Sequence, residues 1–204
     1  MQTQTAKPDY LGLLNAISLG ETEAGVYLRA WANVTQDEDL ACVLRLVAAR
    51  ETNHGETFCR RIAELGFDLK PKNDPGPADR LLKYADPKIS DVDKIRPELD
   101  FEDPFIEIDR QIEKGVFDPI TCNMLSWYIT EERDSGRMLR EAYSKVRAKC
   151  EAEMKNKKNG HANGHANGNG AAMAGPSADA QAIMACMTDG FARLEKTLKK
   201  MANA

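Results

Sequence analysis

The chain has 204 residues, 42% hydrophobic and 29% charged, enough to bury one ordinary core without covalent help. A formal charge of −4 leaves no electrostatic footprint for nucleic acid or an anionic membrane, so neither is expected as a partner. The five cysteines (Cys42, Cys59, Cys122, Cys150, Cys186) form no Cys-x-x-Cys pair, which argues against a zinc knuckle or a disulfide framework and fits reduced, cytoplasmic thiols.

In chain order, the N-terminal stretch has no compact apolar run behind a basic cluster, so neither a signal peptide nor a membrane span is expected. Periodicity predicts a first helix from about Pro8 to Asn33, with Leu14, Ile17, Glu21, Ala24, Leu28 and Trp31 on one stripe. After a short turn, a second helix is predicted from about Asp37 to Leu65, stopped by Gly66. Its seam reads Leu40, Val43/Leu44, Val47, Glu51, His54, Phe58, Ile62, Leu65, a spacing of three or four that keeps one face together. Glu51 and His54 therefore point where the hydrophobic side chains point. Burying an unpaired carboxylate costs several kcal/mol, and a divalent metal is the natural counter-charge.

Helix rise supports a shared site. Glu21 and Glu51 fall about 18 and about 21 Å from the same end of an antiparallel pair. Residues 67–102 are proline-rich and too long for a tight loop, and they read as a crossover with one or two short helices, such as "ADRLLKYA". Asp103 and Pro104 suggest the cap and first turn of a third helix running to about Lys114. Asp118 and Pro119 open a long fourth helix to about Lys155. Its seam is Thr121, Leu125, Tyr128, Glu132, Ser135, Leu139, Tyr143 and Val146, so Glu132 is a third acid on an apolar stripe. The expected division is a helical bundle at 1–155, a flexible Gly/Asn/His/Ala linker at 156–177 and an amphipathic helix at 178–204 that docks on the bundle or on a protein partner. Iron or manganese suits such a carboxylate-rich donor set with one imidazole better than zinc does.

Three segments, "GETEAGVY" (20–27), "ARETNHGETF" (49–58) and "YITEERDSGRML" (128–139), resemble the ferritin-like superfamily, on its rubrerythrin and bacterioferritin side. The resemblance covers roughly residues 8–150. It implies an all-α four-helix bundle with a long crossover, built around a carboxylate-bridged metal pair. Two iron ions are the implied cofactor, with manganese as the other candidate, and the chain is implied to be a homo-oligomer reacting with dioxygen or peroxide or handling iron.

By position, Glu21 becomes a terminal or bridging ligand, Glu51 a bridge, His54 the nitrogen ligand, Glu132 the second bridge and Tyr27 a hydrogen-bonding or redox group beside them. Glu102 is the nearest match to the third-helix glutamate, and Glu131 flanks the site. The place of a second histidine is taken by Ser135 if Glu132 aligns with Glu51, or by Asp134 in the register of Glu131. The competing expectation is a redox-silent scaffold that binds a partner through its C-terminal helix.

Overall fold

The computed structural model describes residues 7–71, 76–95 and 103–160, and among these residues every regular element is helical. In chain order they are α1 (Leu11–Ala32), α2 (Glu38–Glu64), α3 (Gly76–Ala85), α4 (Asp91–Lys94), α5 (Ile106–Glu113) and α6 (Pro119–Gly160). No helix among the described residues is long and apolar enough to cross a membrane.

The helix ends follow local chemistry. Asp37 caps α2 by accepting from the Leu40 amide at 3.0 Å, and Gly66, at φ 86°, takes the left-handed step that ends the helix. Asp118 caps α6 by accepting from the Ile120 and Thr121 amides at 3.0 and 3.2 Å.

Two boundaries differ from expectation. α5 begins at Ile106, with Phe105 as its cap residue, because Asp103 accepts from the Phe105 amide across a turn and spends its other oxygen on Arg133 at 2.8 Å. α6 continues to Gly160, so residues 156–160, expected in the linker, are helical; the lysines there are good helix formers. Residues 161–204, with the remaining linker and the expected terminal helix, lie outside the described residues, as does Glu102.

α1 and α2 form a tight antiparallel hairpin. Each carries a Glu-Thr-x-x-Gly segment, 21–25 and 51–55, and the two segments face each other with glycine opposite threonine. A Cβ on Gly25 would lie 2.4 Å from Thr52 Oγ1, and one on Gly55 would lie 2.4 Å from Thr22 Oγ1 and 2.9 Å from the Thr22 amide nitrogen. Only glycine lets the backbones come this close. Ser18 adds a hydrogen bond from its Oγ to the Gly55 carbonyl at 2.8 Å. Gly55→Ala should therefore cost about 1–3 kcal/mol by overpacking. Gly20→Ala, in α1 and with nothing within 4 Å of its Cβ, should gain about 0.5–1 kcal/mol. Urea denaturation of the two variants distinguishes a close contact from a general glycine effect; equal stability changes would refute the contact.

α6 runs antiparallel to α2, as the contacts Arg61–Thr121, His54–Glu131, Arg50–Ser135 and Asp37–Lys149 show. α5 covers the lower end of the bundle, with Phe105 edge-on to Tyr128 at 5.7 Å. The crossover closes the upper end, where Tyr84 of α3 stacks on Tyr27 at 4.9 Å and Asp91 of α4 accepts from Trp31 Nε1 at 2.7 Å.

The core is divided in two. One cluster includes Leu14, Ile17, Phe58, Ile62, Leu125 and Ile129; the other includes Leu28, Trp31, Leu44, Val47, Tyr143 and Val146. On every long helix the break between clusters is an acid: Glu21 on α1, Glu51 on α2 and Glu132 on α6.

Candidate metal centre

Those acids converge. One ligand atom from each of Glu21, Glu51, His54 and Glu132 lies within 4.8 Å of the others, and Glu51 and His54 are 5% and 0% exposed. Helix geometry explains the meeting. Glu21 and Glu51 occupy equivalent places in the two facing Glu-Thr-x-x-Gly segments, and His54 lies one turn beyond Glu51 on the same face. α6 brings Glu131 and Glu132 to the level of His54.

His54 is held at both ring nitrogens' positions, but in different ways. Its Nε2 is 2.9 Å from Glu131 Oε2 in a hydrogen bond, whereas Nδ1 faces Glu132 Oε1 at 3.1 Å and Glu51 Oε2 at 4.0 Å. Nδ1 and Glu132 Oε1 are buried and make no hydrogen bond, so their closeness is not an aligned donor–acceptor pair. With Nε2 as the donor to Glu131, the Nδ1 lone pair points into the acids. Trp127 and Tyr128 fix the ring edge-on at 4.9 and 5.1 Å.

The electrostatics are those of crowded anions. Burial, with Glu21 and Glu132 facing it, pushes the Glu51 carboxyl up to about 12. Burial likewise raises Glu21. Glu21 is partly exposed as a residue, yet its carboxyl sits deep enough to accept from the buried Tyr128 hydroxyl at 2.6 Å. Burial and the charges of Glu21 and Glu132 push Tyr128 well above the phenol range, so it remains a donor. Burial pulls the His54 imidazole down, but the carboxylates of Glu132 and Glu131 outweigh it and raise it overall.

The structure thus brings together Glu21, Glu51, His54 and Glu132, with Glu131 behind the imidazole. Tyr27 is placed elsewhere: it stacks on Tyr84 in the upper core, and the phenol that reaches the acids is Tyr128. Tyr128 has no distinguishing mark in the sequence, where an aromatic on a helical seam reads as core. The paired Glu-Thr-x-x-Gly segments are a signal the sequence does carry, and they tie Glu21 to Glu51 directly.

The donor set fits a divalent cation. Three carboxylates supply hard anionic oxygens, one imidazole supplies nitrogen, and two buried polar atoms face the cluster with no other partner. Comparison with family models, curated proteins and solved structures gives no match. Fold and cluster together define the class: an all-helical protein with a carboxylate–imidazole layer between two halves of its core.

Proposed function

We propose that the chain is a metal-dependent protein of the ferritin-like type, in which Glu21, Glu51, His54 and Glu132 hold a divalent transition metal, iron foremost and manganese next. The observation that carries this reading is the orphaned, fully buried Nδ1 of His54 facing three acids. Protein groups alone relieve the crowded acids only by holding protons on them, and leave a nitrogen unsatisfied; a cation answers both. Bound iron would supply one-electron redox chemistry toward dioxygen or peroxide; iron itself is the alternative cargo.

The chain's own residues have distinct tasks. Glu131 holds the imidazole so that Nδ1 faces inward, and such partners commonly contribute 10–100-fold in metal affinity. Tyr128 fixes the Glu21 carboxylate and keeps a proton beside it. The apolar layers above and below the acids limit the access of water to them.

The direct test is metal analysis of purified protein, followed by titration of the stripped protein with ferrous iron without air. Uptake that is tight and stoichiometric supports the reading; a protein that binds no metal refutes it and favours the scaffold alternative. Glu131→Gln should weaken uptake about 10–100-fold while helicity is unchanged. An affinity within a factor of two of the parent would remove Glu131 from the centre.

A further inference from the structure

The ferritin-like resemblance implies a pair of ions, and the chain's arginines oppose a pair. Resting on the reading of the cluster as a metal centre, we infer that it takes a single ion, with Arg50 occupying the position from which a second ion would draw its ligands.

The four ligand atoms suit one shell. Ligands on opposite sides of one ion, at bonds of about 2.1 Å, stand about 4.2 Å apart, and the four atoms, all within 4.8 Å of one another, need to draw in by at most about 0.6 Å to reach that spacing. Two ions about 3.5–4 Å apart need a further set of donors on the far side of the second. Among the described residues, the candidates for that set are already engaged.

Ser135 stands three residues beyond Glu132, as His54 stands three beyond Glu51. It is buried, and its Oγ accepts from Arg50 Nη1 at 3.2 Å. The same nitrogen donates to Asp134 Oδ2 at 2.9 Å, and the other Asp134 oxygen accepts from Arg137 at 2.7 Å. Glu131 is taken by His54 Nε2, and Glu23 is paired with Arg80 of α3. In α1, the place equivalent to His54 in the Glu-Thr-x-x-Gly repeat is Ala24, which offers no donor.

The guanidinium matters for two reasons. It keeps its charge at any working pH and has no lone pair to offer a metal. It therefore repels a second cation and removes the Ser135 hydroxyl and the Asp134 carboxylate from use as ligands.

The experiment is anaerobic titration of stripped full-length protein with Mn(II) and, in parallel, with Fe(II), each followed by metal analysis. His161→Ala and His165→Ala are included so that tail imidazoles add no site. The expected result is one ion per chain, with a Mn(II) electron paramagnetic resonance spectrum of isolated ions. Arg50→Gln with Ser135→His in the same chain should raise the count to two and give a spin-coupled spectrum. Two ions per parent chain, or one shared between two chains, would overturn the inference and leave the metal reading standing. No uptake at all would overturn both. A double variant that is helical by circular dichroism but remains at one ion would overturn the role given to Arg50.

Discussion

Glu51→Gln is expected to lose metal binding by more than about a hundredfold, the upper end of what losing an outer partner alone costs, while making the metal-free protein more stable. Glu51 is 5% exposed, and Glu21 and Glu132 face it. In the absence of a cation its carboxyl is pushed up to about 12, so the folded chain keeps a proton that the unfolded chain releases above about 4.5. The sign follows from that difference. Stability of the metal-free protein is fullest below the unfolded value and falls as pH rises toward the folded one, by up to about 1.4 kcal/mol per pH unit for each extra proton held.

The imidazole adds to the same trend, because His54 is also raised and its contribution is lost as pH climbs through its folded value. Glutamine has nearly the shape of the protonated acid and nothing to ionise. The variant should therefore melt higher than the metal-free parent at pH 8, with a flatter decline between pH 5 and 9. Thermal melts of both proteins after chelation, paired with metal analysis before it, measure the two effects separately. A variant that retains its metal would remove Glu51 from the centre; one with the parent's pH slope would show that Glu51 is not the proton holder.

The acids of the centre are legible in sequence because helical spacing is rigid. Once Leu44, Val47, Phe58 and Ile62 define the buried face of α2, Glu51 and His54 have nowhere else to point. The same logic places Glu21 and Glu132, and the turn chemistry of Asp37, Gly66 and Asp118 marks ends of the long helices.

What spacing cannot carry is the choice among partners far apart in sequence. Tyr128 and Tyr27 are both buried aromatics, and only the packing of α6 against the α1–α2 hairpin sends one hydroxyl to Glu21 while the other ring meets Tyr84. Arg50 lies off the predicted seam of α2, and its contact with Ser135 depends on the α2–α6 register. Asp103 looks like a cap because Pro follows it, but Arg133 competes for its carboxylate. Each difference arises where two helices contend for one polar group.

Asp118→Ala should produce the largest loss of stability, about 2–4 kcal/mol: Arg61 is buried but the Asp118 side chain is 31% exposed, which places the pair below the range for a fully buried one, and a helix cap is lost with it. The carboxylate joins three helices. It accepts from Tyr10 Oη at 2.7 Å beside the start of α1, from Arg61 Nη2 at 2.8 Å on α2 and from Thr121 Oγ1 at 2.5 Å on α6, besides capping α6 itself. Arg61 is 7% exposed, and without Asp118 its only remaining ion-pair partner among the described residues is Glu64, whose side chain is half exposed.

Burial works against the ionised form of Asp118, but the hydrogen bonds from Thr121, Tyr10 and Arg61 outweigh it and hold the carboxyl well below the usual carboxylate range. The pH dependence is thus opposite to that of Glu51. The contribution is full above the unfolded value of about 3.9 and is lost as pH falls through the depressed folded value. Asp118→Asn keeps an N-cap oxygen and should lose less than alanine does, with a shallower stability decline below pH 4 than the parent. Asp118 stands ten residues before Tyr128 on α6, about 15 Å along the axis, so folded Asp118→Ala protein should retain the parent's metal stoichiometry. Urea denaturation of the three proteins at pH 3.5 and 7, with metal analysis of each, separates the roles. Metal loss in a variant that is still folded would mean that the lower end of the bundle positions the centre directly, since the helix ends and the acid layer would then be one mechanical unit instead of two.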